Sequence, residues 1–243
     1  MPNRTMASKK GSLAKGAKIK MVLDLDPLAL SAVPLFSGLE EEELRKLAML
    51  FKVKTYRRGD VIVSYGDQAN EFFLISQGVV RVYRLNESGE QVVLALLGGG
   101  DFFGEMGLFT DSLRVAWVDA MTEVKLYVMQ KSDFRVRLLG SPELCWKMLG
   151  ILSRRLAKSD EQLENLVCLN VEERLQKALQ MLAREFGYRE GDSWVIPLKL
   201  SHRLLGEMTG TSRESITRAL SRLEENRWLA KGDNMMILHT SSS

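Results

Sequence analysis

The sequence predicts an α+β protein in which an antiparallel β-roll is followed by one long helix and a smaller helical domain. Three observations predict this order. Short β-branched or aromatic runs separated by glycines occupy residues 55–129. Mostly apolar residues recur at alternating steps of four and three between Cys145 and Leu166. Asn170 with Glu173 forms a capping box that predicts the start of a new helix. A chain of 243 residues is long enough for two cores of ordinary domain size.

The composition is typical of a soluble globular protein, with 45% hydrophobic and 27% charged residues. The chain has no run of about 18 apolar residues and no apolar core at its start, so we expect a cytoplasmic protein without a membrane partner. The net charge of +3 is too small to indicate nucleic-acid binding by itself. Cys145 and Cys168 are too few and too far apart to predict a disulfide framework or a metal site.

Residues 1–24 are predicted to form a flexible basic tail. Lysines and small residues such as Gly11 and Ser12 are scattered through this stretch without apolar periodicity. The tail either keeps the protein soluble or adds a weak, salt-sensitive contact to DNA phosphates, and the sequence leaves both roles open.

Residues 25–140 are predicted to form a sensor domain built on the β-roll. Ser37, with Glu40 three residues later, predicts the start of a short helix before the strands. Glycines between the strands predict tight turns, which favours an antiparallel roll or sandwich. The predicted strands cover residues 61–63, 72–75, 79–85, 92–97, 115–120 and 124–129.

Residues 141–169 are predicted to form a dimerisation helix that ends in a hinge. Pro142 suits a first helical turn, and the apolar spacing that follows is that of a coiled-coil seam. A homodimer explains this spacing; the alternative is a helix packed on its own domain. The predicted seam consists of Cys145, Leu149, Leu152, Leu156, Ser159, Leu163 and Leu166. Within this seam, Cys145 either faces the same cysteine of the second subunit or is a small buried residue.

Residues 170–243 are predicted to form a winged helix-turn-helix domain. Leu175, Leu179 and Leu182 mark a buried helical face. A strand is predicted at 194–196, and two further helices at about 202–208 and 213–226. A turn at 231–234 predicts the closing hairpin.

The last predicted helix carries side chains that suit the DNA major groove. Its outward residues are Arg213, Glu214, Thr217 and Arg218. Arginine can donate two hydrogen bonds to guanine O6 and N7, and glutamate can accept one from cytosine N4. The alternative is a solvated face on which Glu214 completes a capping box with Thr211.

Residues 201–223 resemble the operator-reading unit of the cyclic-AMP receptor protein branch of the CRP/FNR superfamily. The resemblance implies that Arg213, Glu214 and Arg218 read a TGTGA-like half-site of a palindromic operator in double-stranded DNA. It also implies phosphate contacts from Ser201, His202 and Ser212, although His202 replaces the usual arginine. RNA polymerase is the further partner that this resemblance implies.

Residues 104–109 and 114–117 resemble the phosphate-binding cassette of cyclic-nucleotide-binding domains. By this resemblance Arg114 binds the cyclic phosphate, Glu105 accepts from the ribose hydroxyl, and Gly104 lets the backbone approach closely. The alternative is a surface ion pair between Arg114 and Glu105. The implied ligand-binding residues are Gly104, Glu105, Met106, Arg114, Val115, Ser159 and Asp160.

Two departures from the family pattern bear on the effector. Val115 replaces a serine of bacterial cyclic-AMP receptors, and Ser159-Asp160 replaces their Thr-Ser pair that contacts adenine. Cyclic AMP remains the expected effector, but a carboxylate at Asp160 also complements guanine, so cyclic GMP stays open. The residues also leave open a regulator of the same fold that is ligand-independent or responds to cyclic di-GMP, with Asp160 as an ordinary exposed acid.

Several functions of a different kind are disfavoured by the residue types present. Both histidines, His202 and His239, lie in the DNA-binding half, so a histidine-ligated haem is not expected in the sensor. The chain lacks an N-terminal cysteine cluster for an iron–sulfur centre. An enzyme acting on a cyclic nucleotide is the alternative from another class, but no histidine or close carboxylate pair accompanies Arg114 to activate water.

Overall fold

The computed structural model describes residues 26–239, together with the backbone of β1 (Lys18–Ile19). β1 pairs antiparallel with β2 (Lys52–Tyr56). The edge of β2 offers unpaired backbone groups that these two residues satisfy, and the flexible tail at residues 1–24 stays a prediction. The rest of residues 1–24 lies outside the described residues.

The sensor half contains two sheets and four short helices among the described residues. Its remaining elements are α1 (Pro27–Ser31), α2 (Glu41–Ala48), β3 (Val61–Val63), β4 (Glu71–Gln77), β5 (Val80–Leu85), β6 (Gln91–Leu97), β7 (Phe102–Phe103), α3 (Glu105–Phe109), β8 (Trp117–Ala120), β9 (Val124–Gln130) and α4 (Lys131–Leu139). The strand orders are β1-β2-β9-β4-β7 and β3-β8-β5-β6, with antiparallel neighbours throughout. Buried Phe73, Ile75, Val80 and Leu126 belong to one apolar cluster that joins the two sheets, which confirms the predicted roll.

The short helix α2 begins later than the sequence predicted. The Ser37 hydroxyl donates to the Pro34 carbonyl, and the capping box is formed by Glu40 and Glu43. The Ser37 prediction is therefore wrong, because a glutamate side chain can fold back on the backbone and cap a helix as serine does. Helix α4 was not predicted, since its apolar residues lack a regular helical spacing.

The long helix is α5 (Pro142–Cys168). The Ser141 side chain caps it by accepting from the Leu144 N–H. Leu144 and Met148 are buried in the sensor core, and the helix then runs away from that core with mostly exposed residues. Its first turns thus anchor it to the sensor, and most of its later side chains are exposed.

The DNA-binding half follows directly. Its elements are α6 (Val171–Phe186), β10 (Tyr188–Glu190), β11 (Ser193–Ile196), α7 (His202–Thr209), α8 (Arg213–Glu225), β12 (Leu229–Gly232) and β13 (Met235–His239). Asn170 accepts from the Glu172 and Glu173 N–H groups and Glu173 reaches back, so the predicted capping box is present. The strands form one sheet in the order β10-β11-β13-β12, with the β12–β13 hairpin as the wing.

The two halves share one apolar core. Tyr83 and Leu96 from the sensor sheet belong to the same buried cluster as Leu179 and Leu205 of the DNA-binding half. At the border of this cluster, Arg81 on β5 pairs with Asp119 on β8 at 2.6 Å and with Glu207 on α7 at 3.1 Å. These three side chains are at most 19% exposed, so the ion pairs are largely shielded from water. Arg81 therefore joins the sensor sheet to α7.

Replacing Arg81 tests this junction. Arg81→Met leaves the largely buried carboxylate of Asp119 without its cation, while Glu207 keeps only the exposed Arg203, so we expect a loss of about 3 kcal/mol in the free energy of unfolding. Urea unfolding followed by tryptophan fluorescence measures it. Exposed Arg84 lies on the same strand, and Arg84→Met is expected to change the stability by less than about 0.5 kcal/mol. Equal effects of the two substitutions would show that Arg81 does not hold the junction.

Candidate effector pocket and nucleic-acid interface

Gly104 lies where the backbone turns into α3. Its φ is +87°, a conformation that side chains with a Cβ rarely adopt. A Cβ at this position would lie 2.7 Å from Arg114 Nη1 and 3.1 Å from the Glu71 carbonyl oxygen. Glycine is therefore needed both for the turn and for the close approach of Arg114.

Arg114 is a buried cation that is bound by carbonyl oxygens. Its exposed fraction is 6%, and it donates from Nη1 to the Gly104 carbonyl at 2.8 Å and from Nη2 to the Glu71 carbonyl at 2.6 Å. Within the described part of the chain, Arg114 forms no ion pair with a carboxylate. Burial lowers the pKa of Arg114, and nearby carboxylates only partly offset that effect. The site therefore has a buried guanidinium that nearby carboxylates stabilise only in part, and an anionic ligand would stabilise it further.

Glu105 forms its ion pair with Arg155 of the long helix and not with Arg114. Arg155 on α5 donates to Glu105 Oε1 at 3.2 Å and to the Phe102 carbonyl at 2.7 Å, and its guanidinium lies 4.3 Å from the centre of the Phe102 ring. Burial raises the pKa of Glu105, against the opposing effect of Arg155. The predicted alternative of a surface Arg114–Glu105 pair is wrong, because both residues are buried and have different partners.

The remaining predicted ligand residues are more exposed. Met106 is 58% and Val115 is 39% exposed. Ser159 lies one turn after Arg155 and donates to its carbonyl at 3.0 Å, which places it on the side of α5 that meets the cassette. Asp160 is exposed and follows Leu156 by four residues, so it shares the outward stripe of the helix and does not join the cassette within one chain.

Apart from the exposed Ser159, the residues of the predicted seam divide into two groups. Cys145 and Leu152 pack partly against the sensor core, and Cys145 Sγ donates to the Leu138 carbonyl. The alternative of packing on the helix's own domain therefore holds for these two positions. Four leucines remain 47–64% exposed: Leu149, Leu156, Leu163 and Leu166.

The reading unit consists of α7 and α8 joined by a tight turn. Gly210 ends α7 at φ +64°, and Ser212 caps α8 by accepting from the Ser215 N–H. A Cβ on Gly206 would lie 2.7 Å from the Thr211 carbonyl oxygen, so the close crossing of the two helices requires a glycine there. This geometry presents the first turn of α8 to solvent.

Arg213 and Glu214 are exposed at the start of α8. No hydrogen bond or ion pair holds the Glu214 carboxylate within the described residues. The alternative capping box with Thr211 is wrong, because Ser212 is the capping residue and Ser215 occupies the third helical position. Arg218, one turn further along, donates to the Ser215 hydroxyl at 3.1 Å.

The remaining predicted DNA contacts have partners within the protein. Ser201 caps α7 by accepting from the Leu204 N–H. The Thr217 hydroxyl lies 2.8 Å from His202 Nδ1 and donates to the Arg213 carbonyl at 2.9 Å. Thr217 is therefore engaged between the two helices, which its outward position in the helical pattern did not reveal.

Comparisons with known proteins match a known domain family to each half of the chain. Residues 53–139 match the family described as cyclic nucleotide-binding domain, and residues 173–241 match the Crp-like helix-turn-helix domain. The global nitrogen regulator of Synechococcus elongatus is 33% identical over 77% of this chain and 86% of its own. The cyclic AMP receptor protein of Thermus thermophilus is 32% identical over 79% of this chain and 86% of its own. The chain belongs to the CRP/FNR superfamily of transcription regulators.

Solved CRP/FNR structures agree with the observed fold. The c-di-GMP responsive global regulator CLP of Xanthomonas campestris superposes with a TM-score of 0.72 at 22% identity, over 83% of this chain and all of that chain. In the described part of this CRP/FNR regulator, no helix is long and apolar enough to cross a membrane. Nor do three or more His, Cys, Asp or Glu side chains come together there as metal ligands.

One residue of this CRP/FNR site was missed by sequence reasoning. Arg155 is the partner of Glu105, yet the two residues are 50 positions apart and belong to different elements. The resemblance to the family gave Arg155 no role. Its position one turn before Ser159 on α5 is the signal from which that role could have been inferred.

Proposed function

We propose that this regulator is a homodimer that binds a cyclic nucleotide in the β-roll and an inverted-repeat operator through α8. The observation that carries the proposal is the buried guanidinium of Arg114, which lacks a carboxylate partner among the described residues. The exposed side chains of Arg213 and Glu214 at the start of α8 support the proposed operator binding. RNA polymerase is the expected protein partner, and the proposed location is the cytoplasm.

The cassette residues fit a cyclic nucleotide. A cyclic phosphate carries one negative charge, which Arg114 would neutralise, while Gly104 allows the ligand to approach the backbone closely. Glu105 would accept from the ribose hydroxyl while it stays paired with Arg155. Cyclic AMP is the proposed effector, supported by a relative named as a cyclic AMP receptor protein. The Asp160 carboxylate, which complements guanine, supports cyclic GMP as a second candidate. Val115 and Asp160 together support a regulator that is ligand-independent or responds to cyclic di-GMP.

Calorimetric titration with cyclic AMP, cyclic GMP and cyclic di-GMP tests the cassette. Arg114→Ala removes the buried charge, so we expect affinity for the preferred nucleotide to fall by more than about tenfold. Arg57 is an exposed arginine on the turn between β2 and β3, and Arg57→Ala should leave the affinity unchanged. An undiminished titration with Arg114→Ala would contradict the assignment of the phosphate to this residue.

The exposed leucines of α5 are proposed to pair with a second copy of the chain. Leu149, Leu156 and Leu163 repeat every seven residues, which is the period of a coiled-coil seam. A partner helix on this stripe would also lie beside Asp160, so each effector pocket would be completed at the dimer interface. The effector could then change the register or length of the paired helices and, through the hinge at 169–170, the spacing of the two reading units.

A charge placed in this seam is expected to separate the subunits. Leu156→Glu puts two like charges opposite one another in an apolar interface, which favours the monomer. Sedimentation velocity of the variant should show the monomer at concentrations where the wild type is a dimer. Arg154 is exposed on the other side of α5, and Arg154→Glu should remain dimeric. A wild-type protein that sediments as a monomer would contradict the proposed dimer seam.

The start of α8 is proposed to read the operator. Arg213→Ala or Glu214→Ala should each cost about 1 to 3 kcal/mol of operator affinity and relax the preference at one base pair per half-site. Competition binding with a set of single-base operator variants measures this. Arg222 lies near the other end of α8, and Arg222→Ala should leave the base preference unchanged. An unchanged preference in Arg213→Ala and Glu214→Ala would exclude these residues from base reading.

A further inference from the structure

His202 and Thr217 link the start of α7 to the second turn of α8. His202 is the first residue of α7, and its Nδ1 lies 2.8 Å from the Thr217 hydroxyl on α8. The same hydroxyl lies 2.9 Å from the carbonyl oxygen of Arg213, one turn earlier on α8. The three groups form a chain from α7 to the residue proposed to read the first base.

The order of donors in this chain determines the protonation of the ring. A threonine hydroxyl has one proton, and a carbonyl oxygen can only accept. We infer the arrangement in which Thr217 donates to the Arg213 carbonyl and its oxygen accepts from His202 Nδ1–H, because it satisfies both contacts. The neutral ring therefore carries its proton on Nδ1, and Nε2 has a lone pair but no proton.

The surroundings of His202 are predominantly positive. Lys231 on β12 and Arg213 on α8 are the cations that face the ring, and Glu224 on α8 is the carboxylate that opposes them. Burial is the largest cause that lowers the pKa of His202, and the two cations lower it further. The ring is thus neutral near pH 7 in the free protein. An anion beside it would stabilise the protonated ring instead.

We propose that His202 is a pH-dependent positioning residue, which holds α7 to α8 through Thr217 and, when protonated, donates from Nε2 to a DNA phosphate. This inference rests on the proposed function, in which α8 enters the major groove and brings the DNA backbone to the N-terminus of α7. Arginine at this position would donate at every pH, whereas histidine makes the second donor depend on protonation.

The sign of the pH dependence follows from linkage. A phosphate raises the pKa of His202 in the complex above that in the free protein, so binding takes up protons. Operator affinity should therefore increase as the pH falls through the range between these two pKa values. The limit is about tenfold per pH unit for each protomer that takes up one proton. The gain should level off only below the pKa of the free residue, which burial lowers from its ordinary value.

Fluorescence anisotropy with an inverted-repeat operator, between pH 5.5 and 8 at constant ionic strength, tests the proposal. The wild-type affinity should rise at least threefold toward pH 5.5. His202→Asn keeps a donor near the position of Nδ1 but does not titrate, so its affinity should lack this rise while its base preference is retained. His202→Arg should bind at pH 8 about as tightly as the wild type binds at pH 5.5.

His239 provides a matched control, because it is the only other histidine in the sequence. It lies on β13, where its Nδ1 is 3.0 Å from the Ser193 hydroxyl, and His239→Asn should keep the wild-type pH profile. A wild-type profile in His202→Asn, or a flat profile in the wild type, would overturn the proposal while leaving operator binding established. Absence of operator binding at every pH would instead contradict the proposed function.

Discussion

The ion pair between Arg155 and Glu105 is the contact on which the proposed coupling depends, because it is where the long helix meets the cassette. Glu105 is buried, so its charge needs this partner or a ligand hydroxyl. In the proposed binding mode, a nucleotide whose phosphate is bound by Arg114 would share Glu105 with Arg155. The position of α5 and the occupancy of the pocket would then be linked through one carboxylate, without a separate relay between them.

A second connection reaches the DNA-binding half directly. Strand β8 follows Arg114 closely in the chain and ends beside Arg81, whose ion pairs extend to Glu207 on α7. The sensor sheet also shares its apolar cluster with α6 and α7. In this structure the reading unit is thus packed on its own sensor, and a change in spacing of the two reading units would have to maintain or replace these contacts.

The sequence allowed much of the fold to be predicted, because its strands and helices carry strong local patterns. The observed α7 and α8 differ from the predicted ranges by one residue at one end each. Local patterns failed where several residues could perform the same task, as with the cap at Ser37. They also failed where partners are distant in sequence: Arg155 with Glu105, and His202 with Thr217. Burial of Leu152 against the sensor likewise depends on tertiary packing, which a seven-residue repeat cannot show.

The most direct test of the proposed coupling is to vary the spacing of the operator half-sites with and without nucleotide. Binding is measured on a duplex whose TGTGA half-sites are about one helical turn apart, and on one with about five base pairs inserted between them. We expect saturating cyclic nucleotide to tighten binding to the first duplex and to have little effect on the second. Equal affinities for both duplexes, unchanged by any of the three nucleotides, would contradict the coupling of effector to reading-unit spacing.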